Sequence, residues 1–147
     1  MTRSSAWFKP GKLIEELYFD SDKGKSKKLH VILRYPKMSD VDHAMKFFNS
    51  VISETEFLRL DKKVTREEES KWIREAIHGM RKAKKIVIFA EINGSISGSG
   101  NVDRGEGAAS HTGTLGISLR DRYTNKGIGS RMIQLLMNES LKSVLRS

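Results

Sequence analysis

The sequence predicts an α/β domain of the α+β kind, with a mostly antiparallel sheet flanked by helices. Three observations carry this. Apolar residues recur at helical spacing in three stretches: Val41 to Ile52, Trp72 to Met80 and Ile128 to Leu145. Between the second and third, β-type runs joined by Asn93-Gly94 form a meander. A last apolar run, Leu115 to Leu119, then enters the third helix through a turn bearing Gly127 and Gly129. At 147 residues the chain is one domain with room for a sizeable core.

Residues 1–28 read as an N-terminal extension with a basic linker. Pro10-Gly11 marks a turn. Leu13 to Phe19 suits a strand or a short helix, and Asp20 to Lys28 is a solvated linker. His30 to Tyr35 is the first core strand, stopped by Pro36. Ser39, with Asp42 three residues on, opens a helix in the manner of a capping box. Val41, Ala44, Met45, Phe48 and Ile52 form its buried stripe, and His43 lies off it. Glu54 to Val64 is a loop. Thr65 and Glu68 form a capping box for the second helix, whose buried face is Trp72, Ile73, Ala76, Ile77 and Met80. The triplet Glu67-Glu68-Glu69 is read as helix chemistry, since the dipole favours carboxylates in a first turn.

Ile86 to Glu91 is a strand, and Asn93-Gly94 turns it into a partner running from Ser95 to Val102. The small residues Ser97-Gly98-Ser99-Gly100 suit a bend or close approach by a ligand. Asp103 to Ser110 is a polar turn, and His111 to Leu119 is the next antiparallel strand. The last helix carries Ile128, Met132, Leu135, Leu136, Leu141, Val144 and Leu145 toward the sheet.

Composition narrows the function. A net charge of +9 points to acidic partners, either nucleic acid or a polyanionic small molecule. Aromatic residues are only 7% and do not interleave a basic patch, so nucleic acid is not expected as a partner. No apolar run reaches the roughly 18 residues of a membrane span. The N-terminus has no apolar signal core. Zero cysteines exclude disulfides and thiolate metal sites. The expectation is a cytoplasmic protein with no membrane partner and no metal.

The turn from Arg120 to Arg131 is the stretch with chemistry in it. The first amides of a helix lack partners within the helix, and the dipole places partial positive charge there. Glycines before such a helix let a phosphate or pyrophosphate reach the backbone. An ordinary loop with a helix cap is the alternative on spacing alone. Neither the Walker pattern nor the three-glycine dinucleotide pattern is present.

From Leu115 to Leu136 the chain resembles the GNAT superfamily of acetyl-CoA-dependent N-acetyltransferases. Their signature is Gln/Arg-x-x-Gly-x-Gly/Ala, here Thr124-Asn125-Lys126-Gly127-Ile128-Gly129, with Thr124 departing at the first position. The resemblance implies a domain over residues 29–147. It implies that Ile117, Ser118 and Leu119 pair with the pantetheine arm of acetyl-CoA. Asn125, Lys126, Gly127, Ile128, Gly129, Ser130 and Arg131 would hold the pyrophosphate. Glu54, Glu56 and Phe57 would border the amine acceptor.

Many relatives carry a glutamate where Thr114 stands, so the base is sought elsewhere, at Glu91 or His111. A leaving-group tyrosine has no match after the last helix. The family fold continues with further strands that this sequence lacks. A truncated member with an open sheet edge is therefore expected, which a homodimer could cover. The function implied is acetyl transfer to an amine acceptor. The alternative is a truncated, non-catalytic acetyl-CoA-binding or protein-interaction remnant.

Overall fold

Asn93 and Gly94 both take positive φ, 51° and 88°, the pair that a two-residue hairpin matching strand twist requires. Around this hairpin the sheet assembles. The computed structural model of the chain describes residues 8–20, 28–54, 63–104 and 113–146. Its strands are β1 (Leu13–Asp20), β2 (Lys28–Arg34), β3 (Lys85–Ile92), β4 (Ser95–Arg104) and β5 (Gly113–Leu119). Its helices are α1 (Val41–Glu54), α2 (Arg66–Arg81) and α3 (Ile128–Arg146). The sheet order is β1-β2-β3-β4-β5, and every pairing is antiparallel.

β3 lies at the centre. Its run Ile86 to Ala90 is buried on both faces, which explains a continuous apolar strand in an antiparallel sheet. The stretch Leu13 to Phe19 resolves as strand: β1 pairs with β2 from Leu13↔Arg34 to Asp20↔Lys28. The sheet thus begins inside the segment read as an extension.

Strand alternation assigns the two faces. Ser99 and Asn101 of β4 turn toward α1 and α2, where Trp72 stacks on Phe89 with centroids 6.2 Å apart. Gly98 and Gly100 turn the other way, toward α3. A Cβ on Gly100 would lie 2.8 Å from both Ile117 Cδ1 and Leu136 Cδ1, and one on Gly98 would lie 2.8 Å from Leu119 Cδ1. These glycines make room for core side chains of β5 and α3, not for a ligand.

The helices differ from expectation in detail. α1 is preceded by a 3-10 turn, Met38–Asp40. Asp40, not Ser39, organises this start: its Oδ2 accepts the Lys37 N–H at 2.9 Å, while Asp42 pairs with Arg66. The inward side chains of α1 are Val41, Ala44 and Phe47. Phe48 and Ile52 sit at the edge of the core and line a cavity. α2 starts as read, with Thr65 Oγ1 accepting the Glu68 N–H and Glu68 Oε1 accepting the Thr65 N–H. In α3, Ile128, Met132, Leu135 and Leu136 are buried, but Leu141 is 64% exposed. The side chains of Val144 and Leu145 lie outside the described residues.

Candidate functional site

β5 delivers the chain to the glycine turn, and three contacts shape it. The Arg120 N–H donates to the Ser97 carbonyl at 3.0 Å, anchoring the strand exit. The Arg120 guanidinium grips Glu54 through Nε and Nη2 at 3.1–3.2 Å, and the Asp121 N–H donates to the same carboxylate. Hydrogen bonding from Arg120 holds the Glu54 carboxyl below its ordinary range. Glu54 is the last residue of α1 and a structural clamp on the turn. It was expected in a loop facing the acceptor. Thr124 then donates from both N–H and Oγ1 to the Asp121 carbonyl.

Asn125 and Gly127 take positive φ, 60° and 91°, so two left-handed residues reverse the chain just before α3. The first helical bond of the turn runs from the Arg131 N–H to the Gly127 carbonyl, 3.1 Å. The amides of Ile128, Gly129 and Ser130 precede it and have no place in the helical ladder. No acidic residue stands in the first turn of α3 to compete for them. A cavity of about 580 Å³ opens there, lined by Val51, Ile117, Ser118, Leu119, Thr124, Asn125, Gly127, Gly129 and Ser130. A Cβ at Gly129 would meet nothing within 4 Å, and one at Gly127 would first meet Phe19 at 3.6 Å. The wall is therefore open backbone, as an extended polyanion requires. β5 pairs only with β4 among the described strands, so alternate N–H groups along Ile117 to Leu119 face this cavity side unpaired by sheet.

Seven of the ten residues named for the cofactor thus line one cavity. Three do not. Ile128 is fully buried in the core. Lys126 is absent from the lining. The Arg131 guanidinium is bound by the Glu15 carboxylate of β1 through Nε and Nη2, which holds Glu15 below its ordinary range. Arg131 thereby fastens β1 to α3.

A second cavity of about 490 Å³ lies between α1, α2 and the sheet. Phe48, Val51 and Ile52 of α1, with Trp72 of α2, form its apolar wall, and Val64 closes one end. Ser99, Asn101 and Ser118 form the sheet floor, and Glu68 and Glu69 supply carboxyls. Asn49 pins the Val64 backbone with two hydrogen bonds of 2.7 and 3.1 Å. Phe48 meets Trp72 edge to face at 5.5 Å. Val51 and Ser118 belong to both cavities, so occupants of the two would meet there.

Of the two residues expected to act as base, Glu91 is not brought to this junction. Glu91 lies on β3 and receives the Arg34 Nε at 2.5 Å. Arg34 also grips Asp40 with Nη1 and Nη2, each at 2.8 Å, in a cluster where Arg34 is 7% exposed. Neither cavity is lined by Glu91. His111, Glu56 and Phe57 lie outside the described residues. Thr114 is exposed on β5. Among the described residues no three His, Asp or Glu side chains cluster as metal ligands, and no helix is long and apolar enough to cross a membrane.

Sequence reasoning set Glu69 aside as helix chemistry, with no catalytic role expected of it. It is 2% exposed, and its Oε2 has no hydrogen-bond partner among the described residues. Burial alone pushes its carboxyl up to about 7. A signal was present: Glu69 is in phase with Ile73, Ala76, Ile77 and Met80, so it stands on the apolar stripe of α2.

The profile of the acetyltransferase (GNAT) family matches residues 46–144, more than half of the chain. Among solved structures, the GNAT-family acetyltransferase of Streptococcus pneumoniae superposes with a TM-score of 0.67 at 26% identity, covering 77% of this chain and 68% of that one. An N-acetyltransferase from Staphylococcus aureus Mu50 gives 0.62 at 23% identity, over 76% and 67%. The yncA protein of Salmonella typhimurium, solved with its cofactor acetyl-CoA, gives 0.61 at 16% identity, over 77% and 64%. The search of curated proteins finds no match. With the family profile spanning the glycine turn and the helices around it, the chain belongs to the acetyltransferase (GNAT) family.

Proposed function

We propose that the protein transfers the acetyl group of acetyl-CoA to an amine. The observation that carries this is the junction of two unlike cavities at Val51 and Ser118. One is a backbone-lined anion cradle, and the other is an apolar chamber with carboxyls. Bound acetyl-CoA would supply the acyl donor as a thioester. On this reading the amides of Gly129 and Ser130 hold the pyrophosphate, aided by the helix dipole. The free edge of Ile117 to Leu119 pairs with the pantetheine arm. The acceptor amine occupies the second cavity, and the junction excludes water from the reacting atoms. The net charge of +9 favours approach of a polyanionic donor.

Calorimetric titration of acetyl-CoA into the full chain tests this. Gly129→Asp is the informative variant, because its side chain enters open space. A carboxylate in a first helical turn is itself favourable by about 0.3–1 kcal/mol, so the fold should hold. The same carboxylate opposes the pyrophosphate, and like charges brought together cost several kcal/mol, so affinity should fall more than about 100-fold. A well-folded wild type that does not bind acetyl-CoA, or a variant that binds equally, refutes the proposal. The first outcome would favour a non-catalytic remnant.

A further inference from the structure

We propose that Glu69 binds the ammonium group of the acceptor and takes its proton, and that its cavity selects primary amines on an apolar carbon frame. This rests on the acetyl-transfer reading above.

The geometry is unusual for a carboxylate in a first helical turn. Glu67 faces solvent, and Glu68 is committed to the capping box, its Oε1 accepting the Thr65 N–H. Of the three only Glu69 is buried, beneath α1 and over β4, and Glu68 borders the same chamber from the exposed side. A buried carboxyl without a partner is costly, and native structures retain one where a ligand or a reaction uses it. Glu69 lines a chamber large enough for a small ligand, and its Oε2 is buried behind that wall with no hydrogen-bond partner among the described residues.

Among the described residues the charged groups around it favour a cation. Phe48, Val51 and Ile52 face the chamber from α1, and all are apolar. Ser99, Asn101 and Ser118 face it from the sheet, and all are neutral. Asp103, further along β4, is engaged by Lys85 and by Asn101 Nδ2. No lysine or arginine appears among the described lining residues. Among the described lining residues an anionic substrate would meet carboxyls and neutral groups alone. An ammonium would meet Glu69, with the rings of Trp72 and Phe48 lining the wall beside its carbon frame. An aryl-alkyl or branched aliphatic amine suits that wall.

The proton step balances. The ammonium N–H breaks and an O–H forms on the Glu69 carboxylate, freeing the nitrogen lone pair. That pair forms the C–N bond to the acetyl carbonyl carbon, and the C–S bond breaks with its electrons on sulfur. Sulfur takes the surplus proton from nitrogen, and Glu69 returns its own to water. Free primary amines titrate near about 10, roughly six powers of ten above an ordinary glutamate. Burial halves that gap.

The test compares full-length wild type, Glu69→Gln and Glu69→Asp. Phenethylammonium chloride is titrated calorimetrically without acetyl-CoA, with 3-phenylpropionate as the anionic control. Wild type should bind the cation and not the anion. Binding should weaken at least about tenfold in Glu69→Gln, the scale of one lost charge-assisted hydrogen bond. It should also fade in wild type as pH falls through the carboxyl's titration, and stay flat with pH in Glu69→Gln. Acetyl-CoA affinity should be equal in all three proteins. With acetyl-CoA present, Glu69→Gln should lower the rate of phenethylamine acetylation about 100-fold or more and remove the step in its pH profile that follows the carboxyl, leaving only the rise of the free-amine fraction, and Glu69→Asp should restore part of both. Wild type that does not bind phenethylammonium overturns the inference. So does a Glu69→Gln protein with wild-type affinity and pH profile. Wild type that binds the amine but not acetyl-CoA refutes the donor reading instead.

Discussion

Replacing Glu69 by Gln should uncouple stability from pH across the range in which the buried carboxyl titrates. The folded protein raises this carboxyl from 4.5 to about 7, by burial. Between those values the native state keeps a proton that the unfolded chain releases. Unfolding therefore sheds a proton, and stability falls as pH rises. Below 4.5 both states are protonated and nothing is lost. Above about 7 both are ionised, and the full deficit stands. Each tenfold change in proton affinity is worth about 1.4 kcal/mol, so the deficit is roughly 3 kcal/mol. Gln has the same shape and cannot ionise. Wild type and variant should then have similar stability near pH 4, and the variant should be more stable by roughly 3 kcal/mol near pH 8, or about 10 °C in Tm for a chain of this size. Urea unfolding at closely spaced pH values, followed by tryptophan fluorescence, reads this directly. Glu15 and Glu54 are held low in the fold and lose stability at acid pH, the opposite sense, but they are common to both proteins and cancel in the difference. Parallel stability curves for the two proteins would refute the reasoning.

Asp40→Ala should destabilise the fold by about 3–5 kcal/mol, because it strips two hydrogen bonds from a buried Arg34 and one from the Lys37 amide; urea unfolding measures it. Gly100→Val should cost about 1–3 kcal/mol by driving methyls into Ile117 and Leu136, with a matching fall in Tm, and a variant as stable as wild type would show that α3 does not pack tightly on β4 at this point. Arg131→Met should leave acetyl-CoA affinity within about twofold of wild type, since the guanidinium is already paired with Glu15; a large loss by calorimetry would restore it as a phosphate ligand.

Local rules made much of this fold legible. Thr65 and Glu68 cap α2 as their spacing indicates, because a capping box needs only four consecutive residues. Asn93-Gly94 turns as expected because its positive φ values are intrinsic to those residue types. The run Leu13 to Phe19 stayed ambiguous, since its pairing with β2 depends on a partner outside any local window. The start of α1 was misplaced for a similar reason. Asp40 is recruited by Arg34 from the neighbouring strand, a contact that Ser39 and its spacing do not reveal. Gly98 and Gly100 were legible as small but not as facing α3, because strand parity must be set before either face has an occupant.

The amino-acid sequence by itself determined the class of the domain, the meander, the glycine turn at the head of α3 and the family resemblance. Each is written in residues close together, where propensity, period and turn chemistry act. Only the tertiary structure decided which charges are spent and which are kept. Arg131 looked available for a phosphate until Glu15, 116 residues away, was placed against it. Glu91 looked like a base until Arg34 closed on it. Glu69 looked like one more acid in a helix start until the rotation of α2 against the sheet buried it beside a largely apolar chamber, its Oε2 without a hydrogen-bond partner among the described residues. Pairing and burial are properties of distance and dielectric, and both are set by the packing of elements far apart in the chain.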